Sequence, residues 1–188
     1  LALDARYWRA LTFFAEFDYE ATLQALDALA LDVTGHRLEP EVAYRRAATF
    51  YAKKDYETAL ATVNRFLERY PKHLRSGEAR VLLGDIQMGR GELTLARQIF
   101  AAIEPSAGHL YSYAVFQTGK ILRAVAGAED RDESRAALLE SHLQHFRGYV
   151  ARDDIPVASK GRLSEALYWI GWTHAEQGEP EQARSVFA

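Results

Sequence analysis

The chain repeats itself. Moved along by 37 residues, Tyr7, Arg9, Ala10, Thr12, Phe13, Ala15, Asp18, Tyr19, Glu20 and Leu23 fall on Tyr44, Arg46, Ala47, Thr49, Phe50, Ala52, Asp55, Tyr56, Glu57 and Leu60. A period of this length is too short for a domain and too long for one helix. It marks an array whose units cannot bury their apolar faces alone. In the stretch from Glu41 to Pro71, Tyr44, Ala47, Ala48 and Tyr51 recur at helical spacing, and Ala59, Val63, Phe66 and Leu67 do so again. Asp55 stands at the N-cap of the second run, and Pro71 lies just past its end. Each unit therefore reads as two helices joined by a tight polar turn.

Further copies follow. A shift of 36 carries Ala47-Ala48 onto Leu83-Gly84, and Ala59 and Val63 reach Ala96 and Phe100 once a one-residue gap is admitted. Gly119 comes 35 residues after Gly84, and Gly171 opens a last copy. The third copy carries Leu83, Gly84, Gly91, Ala96 and Phe100, and the fifth carries Gly171, Gly178, Ala183 and Phe187. The second has Tyr44, Ala48, Tyr51, Asp55, Tyr56, Ala59 and Pro71 but lacks the turn glycine. With these residues the units resemble tetratricopeptide repeats over nearly the whole chain. The resemblance implies an all-α fold, a right-handed superhelical solenoid of antiparallel helix pairs. Small residues such as Gly84 and Ala59 would stand where two helices approach closely.

The repeats are expected at about 4–39, 40–73, 74–108, 109–160 and 161–188, in one array over residues 1–188. Helices are expected near Asp4–Glu16, Tyr19–Leu31, Leu74–Gly89, Leu93–Ile103, Tyr111–Val125 and Ser134–Ala151. Gly35 is expected to end a helix with a positive φ, and Pro40 to open the next. The fourth unit is irregular: Gly127 to Glu133 reads as a charged loop in place of a tight turn, and Gly119 to Gly171 spans 52 residues. That surplus is either a loop insertion, which costs little at a surface, or a specialised binding edge. Because the chain starts at Leu1 and stops at Ala188 inside an expected helix, it reads as a segment of a longer protein.

Composition narrows the function. A net charge of −3 argues against wholesale attachment to nucleic acid or an acidic membrane, and no apolar run is long enough to span a bilayer. No cysteine is present, which removes disulfides, thiolate metal sites and cysteine nucleophiles. His142 and His145 share a helix face with Glu140 nearby, but without a third ligand they read as a structural pair rather than a metal site. The glycines of residues 84–91 follow no strand, so they do not form a phosphate loop, and no G-x-S-x-G motif occurs. No enzyme and no cofactor are expected.

What remains is a surface. In tetratricopeptide arrays the first helix of each pair lines a concave groove. Carried over by register, the resemblance implies a groove presenting Trp8, Thr12, Arg45, Thr49 and Lys53, then Val81, Asp85 and Met88, then Phe116, Lys120 and Arg123, then Tyr168 and Trp172. Aromatics supply contact area and Arg pairs with carboxylates, which suits a protein or peptide partner. Packing of Trp8, Phe116 and Trp172 between repeats is the competing reading. The Lys/Asn/Asn/Lys/Arg pattern of chaperone-binding clamps is not met by Trp8, Thr12, Arg46, Glu78 and Leu82. The run from Phe66 to Pro71 is similar to segments of bacterial cell-envelope tetratricopeptide proteins, among them outer-membrane assembly lipoproteins and periplasmic cell-division coordinators. It favours the periplasm or envelope over the cytoplasm. The expected function is a non-catalytic interaction scaffold holding a partner segment in its groove. The alternative is a structural spacer or self-association module of a larger protein.

Overall fold

The computed structural model describes residues 2–155 and 159–186, and among these it contains helices and turns but no strand. Leu1, Pro156, Phe187 and Ala188, used above for the chain ends, the fourth connection and the fifth repeat, lie outside the described residues. Ten α-helices follow in order: α1 Ala2–Ala15, α2 Tyr19–Ala30, α3 Glu39–Ala52, α4 Tyr56–Arg69, α5 Ser76–Gly89, α6 Leu93–Ala101, α7 His109–Gly127, α8 Asp132–Val150, α9 Arg162–Glu176 and α10 Pro180–Val186. A 3₁₀ turn, Pro105–Ala107, precedes α7. The contacts gather into two compact units, Leu1–Ile99 and Phe100–Ala188.

Four of the connections between paired helices are the same turn, and the residues explain it. Before α2, α4, α6 and α10, one residue takes the left-handed conformation: Phe17 (φ 61°), Lys54 (φ 63°), Gly91 (φ 81°) and Gly178 (φ 77°). The next amide reaches back to a carbonyl of the preceding helix, Asp18 to Phe13, Asp55 to Phe50, Glu92 to Gln87 and Glu179 to His174, all at 2.9–3.0 Å. That bond satisfies a carbonyl the helix end leaves free. In the first two turns the following side chain caps the new helix: Asp18 accepts from the Ala21 amide at 3.0 Å, and Asp55 from the Thr58 amide at 3.2 Å.

The register is uniform where the sequence reading needed a gap. Turn residues Phe17, Lys54 and Gly91 are each 37 apart. His36 and His73 are also 37 apart, and each accepts at Nδ1, at 3.2 Å, from the amide two residues on. A shift of 37, not 36, therefore relates α3 to α5, and Gly84 corresponds to Ala47. Ala10, Ala47 and Gly84 are all buried, whereas Ala48 is only half-buried. Gly35 has the positive φ expected, 73°, but α2 has already ended at Ala30. Its amide instead donates to Glu39 at the head of α3, at 2.9 Å.

The fourth pair departs from the pattern. Both α7 and α8 run 19 residues, and the expected charged loop shrinks to residues 128–131. Asp132 and Glu133 explain the early start of α8, because carboxylates in a first turn oppose the positive end of the helix dipole.

Apolar burial comes in local clusters. In the first unit Tyr7, Ala10, Leu26, Leu29, Val33, Leu38 and Val42 form one, and Ala47, Ala59, Val63, Phe66, Ala79, Leu82 and Ile86 form another. In the second unit Val115, Phe116, Leu143, Phe146, Tyr149, Ile155, Ala166 and Ile170 pack together. Gly119 is required there: a Cβ at this position would lie 2.4 Å from the Phe146 ring. No helix among the described residues is long and apolar enough to cross a membrane.

Candidate interaction surface on the second unit

In the second unit, Lys120 and Arg123 stand three residues apart on α7, and Trp169 and Trp172 stand three apart on α9. That spacing puts each pair on one helix face. The Arg123 guanidinium carbon lies 4.7 Å from the Trp169 ring centre and 5.9 Å from that of Trp172. A cation over two indole faces is held electrostatically without losing its outward N–H donors. Tyr168 extends the platform, edge-on to Trp169 at 5.1 Å, and is half exposed at 51%.

The platform has a built support. His142 of α8 sits beneath the indoles, 6.3 Å from Trp169 and 5.9 Å from Trp172 between ring centres, and is buried. The Thr173 hydroxyl donates to the Trp169 carbonyl at 2.7 Å, so it accepts from His142 Nδ1, also at 2.7 Å. This fixes the tautomer. Burial, followed by His145 and Arg123, pushes the His142 pKa down to about 4, so the ring is uncharged at neutral pH. His145 donates from Nε2 to the Val115 carbonyl at 2.7 Å, and burial lowers its pKa also. Both histidines are thus committed to protein partners, and no group of three metal-ligating side chains occurs among the described residues.

Lys120 donates to the Gln117 side chain at 2.9 Å, and among the described residues neither Lys120 nor Arg123 forms an ion pair with a carboxylate. Glu165 lines a small crevice with both, yet its carboxylate pairs with Arg162 at 3.2 Å.

The remaining groove candidates behave differently. In the first unit Trp8 is exposed, edge-on to Tyr7, and Thr12 donates to the Trp8 carbonyl. Arg45 lies 5.1 Å over the Phe14 ring, and Lys53 is ion-paired with Glu20. Thr49 does not face a groove: it is fully buried and donates to the Arg45 carbonyl at 2.7 Å. Val81 and Asp85 are buried and Met88 is half-buried. Phe116 is a core residue, 5.3 Å from Phe146 and 5.7 Å from Tyr149, with Arg162 over its outer face at 3.8 Å. The structure therefore brings together Lys120, Arg123, Tyr168 and Trp172. The sequence reading missed Trp169 and the His142–Thr173 support, although the three-residue spacing of Trp169 and Trp172 was the signal for the first.

Comparison with known proteins agrees with the fold. A tetratricopeptide-repeat family model matches residues 165–188. The apo form of RapI superposes with a TM-score of 0.67 at 12% identity, covering 100% of this chain and 68% of that one. MamA from Desulfovibrio magneticus RS-1 gives 0.65 at 15% identity, covering 98% and 90%. A kinesin light chain of Podospora anserina with nearly identical TPR-like repeats gives 0.62 at 12%, covering 99% and 91%. These identities show the fold alone: the chain is an all-α tetratricopeptide-repeat solenoid. None of the curated proteins matches the chain by sequence. A second family model, that of the YfiO outer membrane lipoproteins, matches residues 4–130, two thirds of the length, and the chain belongs to that family.

Proposed function

We propose that this chain is a non-catalytic protein-interaction module, and that Lys120, Arg123, Tyr168, Trp169 and Trp172 form part of its partner-binding surface. One observation carries the reading: Arg123 is held over two indoles while no carboxylate among the described residues takes its donors. A preorganised guanidinium loses little freedom on binding and meets a partner carboxylate in two parallel hydrogen bonds. The exposed Trp8, together with Thr12, Arg45 and Lys53, belongs to the same reading in the first unit, where it adds contact area. The proposed compartment is the bacterial cell envelope, which the match to an outer membrane lipoprotein family supports.

The test is capture from a cell-envelope extract, comparing the native chain with Lys120→Glu/Arg123→Glu. Loss of a captured protein from the double variant, with helical content unchanged, is the expected result. Equal capture by both overturns this surface, and capture of the chain by itself alone favours the spacer or self-association reading.

A further inference from the structure

The irregular fourth helix pair leaves a cleft at its turn end. It has a volume of about 300 Å3 and lies where the ends of α7 and α9 meet the start of α8. Arg123, Ala124 and Ala126 form one wall, Leu139 the floor, Trp172 another wall, and Arg135 with Glu176 the rim. Its origin is in the sequence. The two helices of this pair are 19 residues long against 14 in each of α3, α4 and α5. Their connection also has no left-handed residue to fold it back. Beyond Arg123 the last turn of α7 offers only Ala124, Ala126 and Gly127 towards the gap, so no large side chain of that turn fills it. Ala124 and Val125 stay exposed.

The cleft is apolar inside, and its lining holds one cation without a carboxylate partner among the described residues, Arg123. Leu139 is 4% exposed, and the indole of Trp172 closes one side. At the rim Arg135 is neutralised by Glu176 at 2.7 Å. Arg123 has no such carboxylate among the described residues, and Lys120, one turn earlier on α7, has none either. The residues that line the cleft therefore carry one uncompensated positive charge, that of Arg123. A space near the lower end of the range for ligand sites, about 300 Å3, takes one large apolar side chain rather than a cofactor.

We infer that this cleft receives an apolar side chain from an acidic segment of a partner protein, with a neighbouring carboxylate of that segment paired to Arg123. The inference rests on the protein-binding reading above and adds the chemistry of the partner. Burial of the side chain against Leu139 and Trp172 supplies contact area, and the Arg123 pair sets direction and sign.

The probes are three short peptides: one alternating glutamate with leucine, one alternating lysine with leucine, and one alternating glutamate with serine. Binding to the full chain is read by fluorescence anisotropy. The glutamate–leucine peptide is expected to bind, the serine peptide roughly tenfold more weakly, and the lysine peptide not at all. Arg123→Gln should weaken the glutamate–leucine peptide by about tenfold. Ala124→Phe, which fills the cleft from an exposed position, should erase the advantage of leucine over serine, and Ala124→Gln provides an independent block. Equal binding of the lysine peptide overturns the inference, as does a leucine preference that survives both Ala124 variants, or no binding by any peptide. Self-association that disappears in Ala124→Phe without peptide binding assigns the cleft to a second copy and also overturns it. If Lys120→Glu/Arg123→Glu abolishes capture from extract while both Ala124 variants capture normally, the interaction surface stands and the cleft alone is rejected.

Discussion

The second and fourth helix pairs solve the same problem differently. In the second, α3 reverses into α4 through Lys54 at φ 63°, Asp55 caps the new helix, and Lys53 pairs with Glu20 of the preceding pair. In the fourth, α7 runs on to Gly127, residues 128–131 bridge to α8, and no side chain caps the new helix. The regular turn spends its charges on its neighbours: Arg90–Glu57 repeats Lys53–Glu20 at the same separation of 33 residues. The irregular pair leaves Lys120 and Arg123 without carboxylates among the described residues.

The largest effect that separates the pairs should come from the core of the fourth. Phe146 is 1% exposed, packs on Phe116 and closes on Gly119. Phe146→Ala is expected to cost about 3–5 kcal/mol by chemical denaturation. Next comes Gly119→Ala. A helix normally gains about 0.5–1 kcal/mol from this change, but here the new methyl meets the Phe146 ring. Overpacking of about 1–3 kcal/mol should win. Gly127→Ala, where an added Cβ meets nothing within 4 Å, is the control and should be neutral or stabilising. Equal behaviour of the two glycine variants would refute the close contact.

His142 gives the second unit a pH dependence. Its folded pKa, about 4, lies below its ordinary value, so the unfolded chain takes up the proton first. The stability held by the neutral ring is complete above about pH 6.5 and is lost as pH falls towards 4. Melting temperature over that window should drop more steeply for the native chain than for His142→Gln. Parallel curves would show that His142 carries no such linkage.

Much of this architecture is legible in the residues, and the rest is hidden for physical reasons. Asp18 and Asp55 announce caps, Gly91 and Gly178 announce turns, and the repeat of Tyr7 to Leu23 announces paired helices. The register of α5 is ambiguous by one in the sequence because Ala47 and Ala48 are equally small; the turn at Gly91, the matching contacts of His36 and His73 and the pairing of Arg90 with Glu57 decide between them. Thr49 and Phe116 look like groove residues by analogy, but a helix packed on both flanks buries a wider stripe than one face predicts. Which cations remain unpaired depends on partners some thirty residues away, as for Lys53 with Glu20, and no single repeat contains that information. The support of Trp169 by His142 and Thr173 crosses 31 residues and is equally invisible locally.

The smallest effects test the turns themselves. Lys54 and Phe17 sit in the left-handed region that a Cβ disfavours by about 1–2 kcal/mol. Lys54→Gly should remove that strain, while raising the entropy of the unfolded chain, for a net gain of about 0.5–1 kcal/mol. Gly91→Lys should show the reverse sign at the equivalent position, φ 81°. Lys54 is suited to the comparison because the ion pair to Glu20 belongs to Lys53, so the turn can change without touching the cross-pair contact. Lys53→Ala then isolates that contact. With Glu20 largely exposed, its loss should cost under about 1 kcal/mol and shrink further in salt. If Lys54→Gly proved destabilising while Lys53→Ala cost more than the core glycine variant, the regular pairs would be held by their charges rather than by their turns. The contrast with the fourth pair would then have to be drawn from ion pairing alone.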